Sequence, residues 1–217
     1  MSTSTPYTKA LAAIDAAHAL DPNKITVAGT SLPYELHYAQ KCTSYLEKRA
    51  PDASEALRLA IRAQHFRRWE VPRNSYPMTR IGYHAWRTHL KKRQAELVMS
   101  ILDEIYEHPT HEEHMAFLNR VGSLIKKEGL KEGDEEAGVL EDVACLVFLD
   151  DQFEKYAKLW ADGKGEEGEE GVRLEEEKVV GILRKTWAKM TPKGHELALR
   201  IPMEGRPKEL IQKALAG

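Results

Sequence analysis

Leu140–Leu149 reads LEDVACLVFL, and its apolar residues cover every face of a helix rather than one stripe. Such a segment is stable only with a core around it, so it predicts a central buried helix and an all-α fold. Glu141 and Asp142 fall within or close to this run. A buried carboxylate without a partner is costly, so at least one of them should meet an arginine, a helix N-terminus or a metal ion.

Helix punctuation extends the reading in both directions. Asp134 opens the helix that carries the run, which is expected to continue to about Trp160. Before it, Thr110-His-Glu-Glu113 has capping-box spacing for a helix to Glu128, and Thr79 can open a long helix to about Tyr106. Asp52-Ala-Ser-Glu55 repeats the capping spacing ahead of a helix to Arg68. Thr5-Pro6 starts a first helix that Asp21-Pro22 ends, and Ser31 with Pro33 starts a second through about Arg49. Shorter helices are expected within 174–190, 192–199 and 207–216. They follow an acidic, glycine-rich stretch at about 162–173 that reads as a solvated loop. No segment reads convincingly as a strand. The expectation is one helical domain over residues 1–217, with its core at about 5–160 and C-terminal helices at about 174–216.

With 217 residues, 42% of them hydrophobic, the chain can bury a proper core. It contains no apolar run approaching the roughly 20 residues needed to span a bilayer, and its N-terminus lacks the basic-then-apolar order of a secretory signal. A cytoplasmic location without membrane partners is expected, with the nucleus as the alternative. Cys42 and Cys145 lie among apolar neighbours and suit buried thiols better than a bridge.

A net charge of −2 hides an uneven distribution. Between Arg67 and Arg93 stand Arg67, Arg68, Arg73, Arg80, Arg87, Lys91, Lys92 and Arg93 against Glu70 alone. Arg68, Arg73, Arg80 and Arg87 are expected to form one cationic pocket, because guanidinium offers a planar fork of donors to a phosphate. Trp69, Tyr76, Tyr83 and Trp86 are interleaved with them, a mixture that can stack bases while neutralising phosphates. The expected partner is a phosphorylated small molecule or a nucleotide, with RNA, including tRNA, as the alternative. Against both stands a structural reading in which the aromatics cover the core and Glu141 and Asp142 neutralise the arginines.

His37 near the start of one helix and His65 near the end of the next would meet at one end of an antiparallel hairpin. With Asp142 from a later helix they form a ligand set suited to one divalent transition-metal ion. Such an ion would supply hydroxide near neutral pH, with Glu141, Glu96 or Glu128 as general base. Lys189-Met190-Thr191-Pro192-Lys193 has the outline of the signature loop of class I aminoacyl-tRNA synthetases, but no Rossmann sheet or partner motif accompanies it. That activity is not expected.

Three long stretches, QHFRRWEVPRNSYPMTRIGYHAWR, VLEDVACLVFLDDQF and ILRKTWAKMTPKGHELAL, resemble the bacterial and fungal family catalogued as domain of unknown function 4202. The resemblance extends over nearly the whole chain. At a greater remove the arrangement is similar to the HD-type metal phosphohydrolases, whose ligands come as a His, a His-Asp pair and a late Asp. His37, Gln64-His65 and Asp142 occupy the matching order. The resemblance therefore implies an HD-like helical bundle and a metal-dependent hydrolase of phosphorylated ligands. Two departures weaken the site: Gln64-His65 stands where those enzymes have His-Asp, and Gln94-Ala95-Glu96 stands where members of the uncharacterised family carry His-Ala-Glu.

Overall fold

A computed structural model describes residues 4–153 and 176–215. Within them the fold is all-α, with nine α-helices and one two-stranded sheet. The chain divides into two compact units, residues 1–140 and 141–217.

The first unit begins with α1 (Pro6–His18), capped by the Thr5 side chain with Pro6 in the first turn, where its missing N–H costs nothing. A hairpin follows, β1 (Lys24–Val27) and β2 (Thr30–Pro33), paired antiparallel with Val27 opposite Thr30. This corrects the expectation of no strand. Both turn residues, Ala28 and Gly29, have positive φ, the condition of the tight hairpin turn whose twist matches the flanking strands. Asp21, expected only to end the first helix, instead sits beneath the hairpin. Its carboxylate accepts from the Asn23 N–H at 2.9 Å and from the Glu35 N–H at 2.9 Å, and so caps α2 (Tyr34–Arg49), where Pro33 has no capping side chain.

Next come α3 (Glu55–Arg62), α4 (Arg80–Ile105), α5 (His111–Lys126) and the first turns of α6 (Glu135–Val147). Ser54, not Asp52, caps α3, and the helix ends at Arg62 rather than Arg68, because the chain turns sharply through His65 and Arg67, both at positive φ. Thr79 caps α4 and Thr110 with Glu113 forms a complete capping box on α5, both as expected. Asp134 accepts from the Ala137 N–H, and its hydrogen bond to Arg120 holds the carboxyl down to about 2. Helices α1 and α5 pack on α4, and α3 packs on α1, α2 and α5, burying Ile14, Leu46, Leu57, Leu59, Ile61, Phe66, Leu102 and Leu124.

In the second unit α6 runs out at Val147 into one π-helical turn, Phe148–Gln152, closed by the Phe153 N–H on the Phe148 carbonyl. The expected continuation to Trp160 and the acidic stretch at 162–173 lie outside the described residues. Three helices complete this unit, α7 (Glu176–Trp187), α8 (Pro192–Ala198) and α9 (Arg206–Leu215), with α9 packed on α7. Apolar side chains around the α6 run are buried, including Leu140, Val143, Leu146 and Val147, and both Cys42 and Cys145 are buried thiols. Among the described residues no helix is long and apolar enough to cross a membrane.

Candidate functional site

The turn after α3 is shaped by a side chain the sequence did not single out. Glu35, in the first turn of α2, is buried, and its carboxylate accepts from three consecutive backbone N–H groups. These belong to Arg67 (2.9 Å), Arg68 (2.6 Å) and Trp69 (3.2 Å). His18 of α1 approaches the same carboxylate at 3.3 Å through Nδ1, while its Nε2 donates to the Arg62 carbonyl at 3.0 Å. One carboxylate thus ties α1, α2 and the post-α3 turn together, in a turn where His65 and Arg67 adopt left-handed conformations. An acid at the start of a helix reads as an ordinary partner of the helix dipole, so nothing in the sequence distinguished Glu35.

With the backbone of 67–69 drawn inward, the arginine side chains face the other way. Arg68 lies over the Trp86 ring at 4.7 Å and donates through Nη1 to His65 Nε2 at 3.1 Å. His65 stacks on Tyr38 with ring centres 4.1 Å apart. Burial, reinforced by the Arg68 charge, holds the His65 imidazole well below the usual histidine range, in keeping with a ring nitrogen that must accept from an arginine. Arg73 donates to the carbonyls of Tyr76 (3.0 Å) and Pro77 (2.9 Å), which fixes the two-proline loop, and its guanidinium lies 5.8 Å from the Tyr83 ring centre. Arg87 sits 5.7 Å from the Tyr83 ring centre as well and donates to the phenol oxygen at 3.1 Å. Tyr83, Arg80, His84 and Arg87 are exposed on the first turns of α4.

Neutralisation is unequal across this segment. Glu70 pairs with Arg67 at 2.7 Å and with Arg93. Among the described residues Arg68, Arg73, Arg80 and Arg87 have no carboxylate partner. Trp69, proposed to stack a base, is half-buried, and its indole N–H is buried with no hydrogen-bond partner among the described residues.

The other site candidates are dispersed. Asp142 is fully buried and accepts from the Thr191 N–H at 2.7 Å and the Thr191 hydroxyl at 2.6 Å, anchoring the start of α8. The approach is so close that a Cβ on Gly194 would lie 2.3 Å from the Asp142 carboxylate. His37 is buried on α2 in the first unit, while Asp142 belongs to the second. Among the described residues no three His, Cys, Asp or Glu side chains stand where they could share a metal ion. His65 Nε2 is taken by Arg68, and both Asp142 oxygens are engaged by Thr191. The three proposed bases stand on separate elements: Glu141 is buried with Lys189 at 3.5 Å, while Glu96 and Glu128 are exposed beside Lys92 and Lys126.

Sequence reasoning also passed over an open cleft of about 380 Å³ where α4 ends and α5 begins, lined by Asp103, Tyr106, Glu107, His108, Thr110, His111 and His114.

Comparison with curated proteins and with solved structures gives no match. The sequence matches the family described as Domain of unknown function (DUF4202) over residues 8–211, and the chain belongs to that family.

Proposed function

We propose that the protein binds a phosphate-bearing ligand with a flat ring, a nucleotide in the simplest case, on the arginine face at the start of α4. The observation that supports this most directly is the set of four arginines, Arg68, Arg73, Arg80 and Arg87, without a carboxylate partner among the described residues. Such charge repels itself unless an anion settles on it. Arg80 and Arg87 would meet the phosphates, and the exposed ring of Tyr83, backed by Arg73 and Arg87, would take the base. Arg68 and Arg73 would hold the floor in place. RNA presents the same chemistry in polymeric form and is the second reading.

At a nucleotide concentration about 100-fold above Kd, the melting temperature should rise by about 5–10 °C. Arg80→Ala and Arg87→Ala should remove most of that shift while leaving the unliganded melt nearly unchanged. No shift with nucleotides or with short single-stranded RNA would refute the reading. Hydrolysis of the bound ligand, implied by the HD-type resemblance, is tested separately. Release of inorganic phosphate by untagged protein, lost in His65→Ala, would add turnover to binding.

A further inference from the structure

The cleft between α4 and α5 has its own chemistry. Its two half-buried histidines, His108 and His114, face each other through Nδ1 atoms 3.2 Å apart. From the outer side, Asp103 stands 2.7 Å from His114 Nε2. A carboxylate accepts, so His114 carries its proton on Nε2 and, as a neutral ring, turns a bare Nδ1 lone pair toward His108. His108 is held by its ring faces, stacked on Tyr106 with centres 5.8 Å apart and packed 5.0 Å from Phe117. The plane of its ring is fixed in this way.

Two imidazole nitrogens at 2.0–2.1 Å from one tetrahedral metal ion lie about 3.3 Å apart, which is close to the separation seen here. The arrangement of a carboxylate behind a histidine behind an open position is also how proteins orient metal-binding imidazoles. The surrounding charge has the required sign. From Asp103 to His114 the chain carries Asp103, Glu104, Glu107, Glu112 and Glu113 and no lysine or arginine.

We propose that His108 and His114 hold a divalent transition-metal ion of the zinc, nickel or copper kind between their Nδ1 atoms. Asp103 orients His114, and because no third His, Cys, Asp or Glu side chain of the described residues stands in reach of the same ion, water fills the remaining positions. In the metal-free pair one proton lies between the two Nδ1 atoms. When the ion enters, that proton leaves the shared position and His108 takes the tautomer protonated on Nε2, so both rings coordinate as neutral ligands. Imidazole is a borderline donor that suits these ions and does not suit magnesium or calcium. This inference does not depend on the arginine face, which involves other residues.

The test is calorimetric titration of untagged, chelator-treated full-length protein with Zn²⁺, followed by Ni²⁺ and Mg²⁺. The expected result is uptake of about one Zn²⁺ per chain, uptake of Ni²⁺ as well and none of Mg²⁺. His114→Ala should weaken Zn²⁺ binding by at least about tenfold, and Asp103→Ala by about tenfold. His108→Phe keeps the packing against Tyr106 and Phe117 while removing both nitrogens, so its loss of uptake would not reflect unfolding. The inference is overturned if the parent takes up no Zn²⁺, or if His108→Phe and His114→Ala bind it as tightly as the parent. Uptake lost in His65→Ala but kept in His114→Ala would likewise overturn it.

Discussion

The short segment Arg67–Trp69 has two sides, and they treat charge in opposite ways. On the inner side one buried carboxylate, Glu35, meets three backbone N–H groups and His18, so the acid and its donors are mutually satisfied. On the outer side Arg68, with Arg73, Arg80 and Arg87 nearby in sequence, lies against aromatic rings without a carboxylate among the described residues. Charge satisfied within the fold holds the fold together, whereas charge left without a counter-ion is available to a ligand. The inner side builds the platform on which the outer side is presented.

Removing the inner carboxylate should have the largest effect. Glu35→Ala leaves three backbone N–H groups without their acceptor and removes the carboxylate beside His18, and a loss of about 3–5 kcal/mol is expected. That is a large share of the stability of an ordinary domain. Glu35→Gln keeps one acceptor oxygen but turns an NH₂ toward N–H donors, so it should fall between the two. Urea denaturation read by tryptophan fluorescence gives both values, and a cost under about 1 kcal/mol for Glu35→Ala would show that the network is dispensable.

An intermediate effect is expected where the two sides join. A Cβ on Gly82 would lie 2.1 Å from the Pro77 carbonyl oxygen, the same carbonyl that accepts from Arg73. Backbone cannot yield as a flexible side chain can, so Gly82→Ala must push the first turn of α4 away from the loop. A destabilisation of about 1–3 kcal/mol is expected, together with weaker nucleotide binding, because the loop and the helix carry different arginines of the same face. Binding unchanged alongside lost stability would separate the face from the loop that supports it.

How much of this was legible in the sequence depended on how local the signal was. Caps at Thr79, Thr110 and Asp134 are read from neighbouring residues, and the helices they open were found. The hairpin at 24–33 was missed because its turn is Ala28-Gly29 rather than a strong turn pair and its second strand ends on a proline that reads as a helix start. Asp142 was noticed because it sits in an apolar run, and the need for partners was inferred correctly. The partner is one of the three kinds expected, a helix N-terminus, but which helix was not legible, since Thr191 is distant in sequence. Glu35 lacked even that cue, because the N–H groups it binds are unpaired only once α3 has ended early. His108 and His114 were passed over for the same reason: their facing nitrogens depend on how α4 ends and α5 begins.

The smallest effect concerns His65, which lies at the boundary of the two sides. Its Nε2 accepts from Arg68 on the outer side, and its place in the turn follows from Glu35 on the inner side. Protonation would set an N–H against a guanidinium, and burial opposes the charge as well, so the folded-state pKa is lowered below the unfolded value of about 6.5. The sign follows directly. Below about pH 6.5 the unfolded chain binds a proton at this position that the folded chain refuses, so stability falls as the pH falls and is fully present only above that value. Between pH 6.5 and 5.5 this single group should contribute a loss of about 1 kcal/mol. Other acids and histidines titrate in the same range, so the measurement is the difference between the parent and His65→Asn, a residue that tolerates the left-handed backbone at this position. The variant should be less stable at pH 8, where the Tyr38 stacking and the Arg68 bond are lost, yet its stability should fall less steeply between pH 6.5 and 5.5. Parallel curves would mean that His65 accepts its proton as readily in the folded turn as in the unfolded chain, and that Arg68 is not held against it.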